Sequence, residues 1–406
     1  MKYNETLNYI HSLGAFSAEA SLERITAVCA KLNNPQKDFK AFHIAGTNGK
    51  GSVCTFITSV LQAAGYRVGT FVSPFITDFC ERIQINGEYI SHNDLCRLSQ
   101  KVIDTNVKLT EFEFITAVGF LHFSENNIDI AVLETGLGGR FDATNVIPKP
   151  LVSVITKIGL DHTAVLGETV SKIATEKCGI IKNNTVVTSP NQSKEALSVI
   201  KQYAPQFIMP DIDKLHDVKY SLTENSFVYC GESYKTKLAG KFQTENALIA
   251  IEAIKNSGLN IGEEYIKSGL KNAFIPARLE VVSQNPLIVI DGAHNPDGAY
   301  ALAEVLKDYK DITAVIGVMR DKNYCEVLKT TLPFCKNAVC LKPSVPRALE
   351  AEQLAAQAQK YCNNTVVAQT AEEALNFAKE LSNGEPVFIF GSLYLASEMR
   401  RLLKEQ

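Results

Sequence analysis

The segment Phe42–Ser52, FHIAGTNGKGS, combines glycines, a lysine and a serine at a spacing that suits phosphate binding. It follows a short apolar run and opens a helix-like stretch. Glycines let the backbone approach an anion closely, and N–H groups of the turn and of the helix N-terminus then point at it. Lys50 supplies charge for the β and γ phosphates, and Ser52 supplies a hydroxyl for magnesium. The segment therefore predicts an ATP phosphate loop, with contacts from Thr47, Asn48, Gly49, Lys50, Gly51 and Ser52.

This loop departs from the common G-x-x-x-x-G-K-[ST] pattern at two positions. Ile44 stands where the first glycine is usual, and Gly51 displaces the hydroxyl residue by one. The alternative interpretation is a glycine-rich turn between strand and helix that binds no ligand. The strand–loop–helix context and Lys50 favour the phosphate loop.

A second candidate group begins with Glu134, which ends an apolar run and precedes a glycine-rich turn, TGLGG. A carboxylate at that place is costly to bury without a partner. It is a candidate metal ligand, and the alternative is a structural ion pair with Arg140.

Two further segments carry basic side chains. Asp161 and His162 follow a strand-like run and a glycine, where a histidine can present a ring nitrogen to a metal. Lys177 lies in TEKCGI, near the end of a helix-like stretch. By themselves these residues also fit structural roles that involve no ligand. Lys177, for example, can cap the C-terminus of the helix or form an ion pair in the neighbourhood of Glu176.

The elements that must position these groups alternate between strand-like and helix-like segments. The strand-like runs are short and rich in Val and Ile, as in strands buried on both faces of a parallel sheet. They are Phe39–Ile44, Arg67–Val72, Ile130–Glu134, Leu151–Ile155 and Thr185–Thr188, with helices such as Gly51–Ala64 and Thr169–Cys178 between them. The order predicts an α/β fold with helices on both sheet faces. Ligands of such sheets bind at the carboxyl ends of the strands, where the candidate residues lie.

The pattern changes near Asp211–Leu238, where polar and apolar residues alternate around turn signals, which predicts a small antiparallel element. The α/β alternation restarts after Pro276. The strands predicted there are Leu287–Ile290, Ala314–Ile316, Ala338–Leu341, Thr365–Ala368 and Val387–Phe390. We predict a boundary near Val282–Pro286, which divides an N-terminal P-loop ATPase-like domain, 1–284, from a smaller Rossmann-like α/β domain, 285–406.

The composition excludes several other classes. A length of 406 residues suits two domains. A net charge of −3 without any Lys/Arg-rich run argues against a nucleic-acid or anionic-membrane partner. No segment has the apolar length of a membrane span, and the N-terminus has no secretory pattern, so a cytoplasmic location is expected. The 10 cysteines include no Cys-x-x-Cys pair and are expected to be reduced and mostly buried.

The loop A-G-T-N-G-K-G-S resembles that of the Mur ligase superfamily, in the form carried by the folylpolyglutamate synthase/dihydrofolate synthase family. The resemblance extends in order along nearly the whole chain. The further blocks are Ser73-Pro74, Glu81-Arg82-Ile83, the Thr-x-Phe-Glu stretch at Thr110–Glu113, LETGLGGRFDATN, ITKIGLDHTAVLG, EKCGI, PARLE, DGAHNPDG, Asp321-Lys322 and GSLYLASEMR. Two departures are Phe75 and Phe242, where relatives often have histidine.

The resemblance implies a set of roles for the matching residues. Magnesium ligands, at two sites, would be Ser52, Ser73, Glu134, His162 and Lys177, the last as a carbamate. Further nucleotide contacts would be Asn246, Arg278, Asp291 and His294. The residues closest to catalysis would be Lys50, His162 and Lys177.

A pterin site is also implied, at Thr110, Phe112, Asp142 and Ala143. Phe112 offers an apolar face for stacking, and Asp142 can accept hydrogen bonds from pterin N–H groups. The alternative is that Phe112 belongs to the core and Asp142 caps the turn that follows it. A further departure from some relatives is Ala18–Ala20, where they have larger apolar residues.

The activity implied is ATP-dependent addition of L-glutamate to tetrahydrofolate and to 7,8-dihydropteroate. ATP would convert the substrate carboxylate to an acyl phosphate, which the glutamate amine attacks. The enzyme is expected to be a monomer that acts on small molecules. Two rivals are another Mur-type amide ligase and a nucleotide-dependent switch or transport ATPase.

Overall fold

The computed structural model describes residues 1–14 and 21–405, so Ala18–Ala20 lie outside the described residues. The helices are α1 (Tyr3–Ser12), α2 (Glu23–Lys31), α3 (Lys50–Ala63), α4 (His92–Asp104), α5 (Glu111–Glu125), α6 (Thr163–Leu166), α7 (Val170–Cys178), α8 (Lys194–Tyr203), α9 (Lys241–Lys255), α10 (Glu263–Asn272), α11 (Pro296–Leu306), α12 (Tyr324–Thr331), α13 (Ala351–Ala358), α14 (Ala371–Ser382) and α15 (Leu393–Glu405). The strands are β1 (Lys40–Ala45), β2 (Val68–Phe71), β3 (Ile83–Ile85), β4 (Glu88–Tyr89), β5 (Ile130–Glu134), β6 (Val152–Ile155), β7 (Thr185–Thr188), β8 (Leu215–Lys219), β9 (Asn225–Tyr229), β10 (Glu232–Thr236), β11 (Glu280–Gln284), β12 (Leu287–Ile290), β13 (Ile312–Ile316), β14 (Cys335–Leu341), β15 (Asn364–Ala368) and β16 (Val387–Phe390).

The first sheet has seven strands in the order β4-β3-β2-β5-β1-β6-β7. Strands β2, β5, β1, β6 and β7 are parallel, while β3 and β4 form an antiparallel edge. In the register of the central strands, Ile44 is level with Glu134 and Ala45 with Ile155. The segments that follow β1, β5 and β6 therefore leave the same edge of the sheet.

Helix α3 leaves the sheet directly after β1 and is packed closely by α10. The hydroxyl of Ser59 on α3 donates a hydrogen bond to the Gly269 carbonyl at 2.8 Å. A Cβ atom at Gly269 would lie 2.4 Å from Val60 Cα, so the helices can approach this closely because residue 269 is glycine.

The second large sheet has the order β11-β12-β16-β13-β14-β15. Strands β12 to β15 in this order are parallel, and β11 pairs antiparallel with β12 at one edge. The β11–β12 hairpin thus joins residues on both sides of the domain boundary predicted at 284/285. Helices cover the sheet with apolar side chains such as Leu302, Leu328 and Leu354.

A smaller sheet consists of β8, β9 and β10. Cys230 and Gly231 link β9 to β10 with φ angles of 51° and 83°. Two consecutive left-handed residues form the tight turn of an antiparallel hairpin. The predicted fold class is confirmed: a mostly parallel N-terminal sheet, a small antiparallel element and a separate C-terminal α/β sheet.

By backbone contacts the chain divides into two compact units. The first comprises residues 1–216, 228–234 and 245–273, and the second 217–227, 235–244 and 274–406. All ten cysteines lie in the described part of the chain and are free thiols. None of the helices in 1–14 and 21–405 is long and apolar enough to cross a membrane.

Candidate active site

The carbonyl of Gly46 is the point on which two lysines of the first unit converge. Lys50 Nζ donates to it at 3.1 Å and also to the Thr47 carbonyl at 3.3 Å. Lys177 Nζ, which arrives from the end of α7, donates to it at 2.7 Å. A Cβ atom at Gly46 would lie 1.8 Å from Thr156 Oγ1, so residue 46 has to be glycine for the loop to keep this path. Neither Gly46 nor Thr156 is among the predicted site residues.

The segment after β6 holds the phosphate loop in place through hydrogen bonds. The backbone N–H of Thr47 donates to the Lys157 carbonyl at 2.9 Å. Its hydroxyl donates to the Gly159 carbonyl and accepts from the Gly159 N–H, each at 3.0 Å. The Asn48 N–H donates to Lys157 as well, at 3.3 Å. Thr47 therefore fixes the loop conformation through internal hydrogen bonds.

Asn246 is brought to the same loop although it lies almost 200 positions further along the chain, on α9. Gly49 has φ +88°, and a Cβ atom there would lie 2.4 Å from Asn246 Oδ1. The amide therefore packs directly against the glycine that precedes helix α3. Asn246 therefore lies beside the phosphate loop, and its contact with the nucleotide stays a prediction.

Ser73 and Glu134 lie close to the start of α3, the helix that carries Ser52. Glu134 is 5% exposed, and its Oε2 accepts a hydrogen bond from the Ser73 N–H at 3.2 Å. The same oxygen would lie 3.7 Å from a Cβ atom at Gly51, the residue before Ser52. Carboxylate and hydroxyl oxygens are the donors that Mg²⁺ prefers, so this set fits the ion.

Arg140 makes other contacts than the ion pair with Glu134 that the sequence left open. Its Nη2 donates to the Tyr203 hydroxyl at 2.5 Å, and its Nε lies 3.8 Å from Glu176 Oε1. Arg140 therefore ties the glycine-rich turn to α7 and α8.

Lys177 is buried, and burial lowers the pKa of its amine to about 7. The charge of Lys50 lowers this pKa further, whereas Asp161 and Asp142 oppose the shift. Its side chain reaches Gly46 rather than a carboxylate at the end of its own helix. The amine is thus held at the phosphate loop in an environment that favours its uncharged form.

His162 is the N-cap residue that precedes helix α6, and its backbone is left-handed, with φ 50°. Its side chain is 47% exposed, and its Nε2 lies 3.8 Å from Asp161 Oδ2. The ring is therefore accessible at the carboxyl end of β6, on the side of the sheet from which the phosphate loop also leaves.

Two members of the predicted pterin set act as caps, Asp142 for the short 3-10 turn Ala143–Val146 and Thr110 for α5. Asp142 Oδ2 accepts from the N–H groups of Gly136 and Leu137 at 2.8 and 3.0 Å. Its Oδ1 accepts from the N–H and the hydroxyl of Thr144 at 3.0 and 2.6 Å. Thr110 forms a capping box with Glu113 at the start of α5. The capping alternative for Asp142 is therefore observed, and its four contacts occupy the usual capacity of a carboxylate.

The other two members, Phe112 and Ala143, lie beside the glycine-rich turn that follows β5. Phe112 is half-buried, and a Cβ atom at Gly136 would lie 2.5 Å from its Cζ, so the ring lies flat against that glycine. Ala143 is buried. The pterin role of the set stays a prediction.

A buried chain of hydrogen bonds connects β1 to this turn. Thr144 gives its hydroxyl proton to Asp142, so His43 Nε2 donates to the Thr144 hydroxyl, at 2.8 Å. Burial lowers the pKa of His43 to about 3, which keeps the imidazole neutral. Sequence patterns alone gave no signal for this contact, because His43 occupies a strand position that looks simply apolar.

The second unit holds Arg278, Asp291 and His294 close together. Asp291 Oδ2 accepts from the Leu279 N–H at 2.9 Å, and Oδ1 accepts from the Ala293 N–H at 2.8 Å. Burial raises the pKa of Asp291, which Arg278 opposes. Arg278 Nη1 would lie 2.3 Å from a Cβ atom at Gly292, and His294 Nδ1 donates to the Gly292 carbonyl at 2.9 Å.

The comparisons with known proteins give the class first. Residues 44–254 match the family model of the Mur ligase middle domain, and residues 277–393 match that of the Mur ligase glutamate ligase domain. Together with the phosphate loop, these matches define a Mur-type ATP-dependent amide ligase, as the sequence predicted.

The relatives narrow the class further. The chain is 37% identical to the dihydrofolate synthase/folylpolyglutamate synthase of Bacillus subtilis, over 99% of both chains. It is also 37% identical to the folylpolyglutamate synthase of Lacticaseibacillus casei, again over 99% of both. Its structure is similar to that of Mycobacterium tuberculosis folylpolyglutamate synthase complexed with ADP and AMPPCP, with a TM-score of 0.90, 28% identity and 99% of each chain covered. For E. coli FolC in complex with DHPP and ADP the TM-score is 0.89, with 28% identity over 100% and 98% of the chains. The chain belongs to the folylpolyglutamate synthase/dihydrofolate synthase family.

Proposed function

We propose that this enzyme joins the amine of L-glutamate to the carboxylate of tetrahydrofolate or its polyglutamates, and to that of 7,8-dihydropteroate, with ATP as the energy source. The observation that carries the proposal is the convergence of Lys50 and Lys177 on Gly46, beside a buried Glu134 and within a phosphate loop of the family's form. The names of the relatives support both substrates.

The chemistry begins with transfer of a phosphoryl group. A carboxylate oxygen of the folate attacks the γ-phosphorus, ADP leaves, and an acyl phosphate forms. The glutamate nitrogen then attacks the acyl carbon and loses a proton, and phosphate departs. Lys50 and the N–H groups at the start of α3 offset the charge on the transferred group. Because Lys157 and Gly159 already brace the loop, these donors are positioned before ATP arrives.

We further propose that the enzyme holds magnesium at two sites. Ser52, Ser73 and Glu134 would hold one ion, and His162 and a carbamylated Lys177 would serve the other. Mg²⁺ supplies charge compensation for the nucleotide phosphates when it is bound. The carbamate is supported by the place of Lys177, whose amine lies buried at the loop in surroundings that favour its uncharged form, the form that can react with carbon dioxide.

The nucleotide is proposed to contact the loop residues Thr47–Ser52, Asn246, and the cluster of Arg278, Asp291 and His294. Thr110, Phe112, Asp142 and Ala143 are proposed to line the pterin site. The side-chain oxygens of Thr110 and Asp142 are used in caps. These two residues would therefore act in the pterin site mainly by fixing the backbone against which the Phe112 ring packs.

We assign ATP binding to the domain 1–284 and glutamate ligation to the domain 285–406, with the boundary as predicted at 284/285. The family model of the glutamate ligase domain supports a separate C-terminal ligase domain, although it begins at residue 277, ahead of the proposed boundary. We further propose that the enzyme is a monomer and acts in the cytoplasm, which supplies ATP and folates.

The deciding experiment measures ADP release by the purified protein with ATP, magnesium and tetrahydrofolate, with and without L-glutamate, together with mass spectrometry of the folate product. The expected result is ADP release that requires both co-substrates and a product heavier by one glutamyl residue or more. ADP release that is indifferent to glutamate would favour a switch or transport ATPase. Activity with a peptidoglycan precursor in place of the folate would favour another Mur-type ligase.

A further inference from the structure

The backbone around Arg278 has an unusual conformation. Ala277 and Leu279, which flank it, have φ angles of 53° and 47°. Non-glycine residues in the left-handed region are strained by roughly 1–3 kcal/mol each and persist where the surroundings enforce them. Two such residues, one on either side of Arg278, therefore need specific support.

Two buried carboxylates supply that support, one for each strained residue. Glu280 Oε2 accepts a hydrogen bond from the Ala277 N–H at 2.8 Å. Asp291 Oδ2 accepts one from the Leu279 N–H at 2.9 Å. Arg278 is thus held by its neighbours on both sides, and its guanidinium packs against Gly292, where a side chain at residue 292 would displace it.

Glu280 is itself held by the last helix of the chain. Arg400 on α15 donates from Nε to both carboxylate oxygens of Glu280, at 3.0 and 2.8 Å. The two side chains are 10% and 8% exposed. In such surroundings a carboxylate that loses its partner is strongly destabilised. Arg400 belongs to the terminal block GSLYLASEMR, for which the proposed reaction has no other use.

We propose that Arg400 is a positioning residue for ATP binding, which acts through Glu280 on the backbone that presents Arg278. This rests on the proposed function only in taking Arg278 as a nucleotide contact. Without Arg400, the carboxylate of Glu280 reorients toward water and releases the Ala277 N–H. The left-handed turn then relaxes, and the guanidinium leaves the place it has beside Gly292.

The test measures the Kd for ATP by calorimetry, together with the KM for ATP, the KM for tetrahydrofolate and kcat. Arg400→Gln is compared with Arg401→Gln, a matched control at the next, exposed position of the same helix. We expect Arg400→Gln to weaken ATP binding about tenfold, which corresponds to about 1.4 kcal/mol, and to leave the KM for tetrahydrofolate unchanged. Arg401→Gln should match the wild type.

Arg400→Lys carries the test if Arg400→Gln does not fold. It keeps the charge but lacks the Nε–H that donates to both oxygens of Glu280, so the Kd for ATP should rise by a smaller factor. The melting temperature, measured without nucleotide, identifies variants that fail to fold.

The decisive comparison repeats the Arg400 substitution in an Arg278→Ala background. If Arg400 acts through Arg278, Arg278→Ala alone weakens ATP binding and the double variant weakens it no further. An equal additional loss in both backgrounds would overturn the inference, as would wild-type ATP affinity of folded Arg400 variants, and neither result affects the proposed ligase activity. Unchanged ATP affinity of Arg278→Ala would instead refute the nucleotide role of Arg278, and the inference with it. Loss of glutamate ligation in a wild type that still binds ATP would refute the proposed function and leave the ATP measurements interpretable.

Discussion

Gly46→Ala should inactivate the enzyme through steric displacement of the phosphate loop. The new Cβ would lie 1.8 Å from Thr156 Oγ1 and 2.9 Å from Thr156 Cβ. Reaching an ordinary separation of 3.4 Å from the oxygen requires a movement of about 1.6 Å. Misplacement of reacting groups by about 1 Å can cost on the order of 100-fold in rate. Since the Gly46 carbonyl accepts from both Lys50 and Lys177, we expect kcat/KM to fall at least about 100-fold.

A second substitution distinguishes this cause from general damage to the fold. Thr156 Oγ1 is buried and has no hydrogen-bond partner among the described residues, so its removal breaks no bond seen there. Thr156→Gly removes both clashing side-chain atoms and should restore part of the activity of Gly46→Ala, since the φ of +155° at residue 46 and the Thr156 carbonyl carbon at 3.2 Å stay unfavourable for alanine. The assay is glutamate-dependent ADP release, with Thr156→Gly alone as the control and melting temperature as the check on folding. Activity of Gly46→Ala within about threefold of wild type would refute the reasoning, and so would a double variant no more active than the single one.

Four further outcomes are expected. Lys50→Ala should abolish turnover with little change in melting temperature, because Lys50 lies half-exposed at the start of α3. Near-normal ligase activity would remove the phosphate loop from the mechanism. Glu134→Gln should raise the magnesium concentration needed for half-maximal activity and lower the maximum, whereas a wild-type magnesium titration would make Glu134 structural. Lys177→Ala should lose activity and regain part of it with an added small carboxylic acid; a high-resolution map of the magnesium-bound enzyme with an unmodified lysine far from any metal would contradict the carbamate. Asp142→Ala should lose dihydrofolate synthesis from dihydropteroate, ATP, magnesium and glutamate, because the turn under Phe112 loses its cap. Equal product from variant and wild type would exclude Asp142 from the pterin site. No product from the wild type would reduce the activity to polyglutamylation.

Buried strands were the most predictable part of the fold. Ile130–Glu134, Thr185–Thr188, Leu287–Ile290 and Val387–Phe390 were predicted to the residue, because a short run of apolar residues bounded by turn or polar residues leaves little choice of limits. The edge strand Glu280–Gln284 was not predicted. It is half-exposed, so its sequence lacks the continuous apolar run of an interior strand.

The site was predictable where function depends on residues adjacent in sequence. The phosphate loop could be recognised because Gly49, Lys50 and Ser52 lie within one turn of the chain. Contacts between distant segments could not be recognised in the same way. Glu280 and Arg400 are 120 positions apart, and nothing in the local pattern of either indicates that they pair.

Capping residues illustrate a different limit. Asp142 before Ala143-Thr144-Asn145 fits both a ligand contact and a turn cap, because the same carboxylate chemistry serves either purpose. The structure adds the four hydrogen-bond donors that surround it, which local sequence could not place.

The packing of α10 on α3 has a consequence for synthesis of the protein on the ribosome. The strands of the nucleotide-binding sheet are complete once residue 188 has been made, yet the partner of Ser59 is Gly269, 210 positions later. At a typical translation rate of about 5–20 residues per second, synthesis of the chain from Ser59 to Gly269 takes about 10–40 s. During that time the face of α3 that α10 will cover is exposed on the nascent chain. Pausing of the ribosome before α10 would prolong that exposure, which makes this stretch a natural place for a chaperone to act.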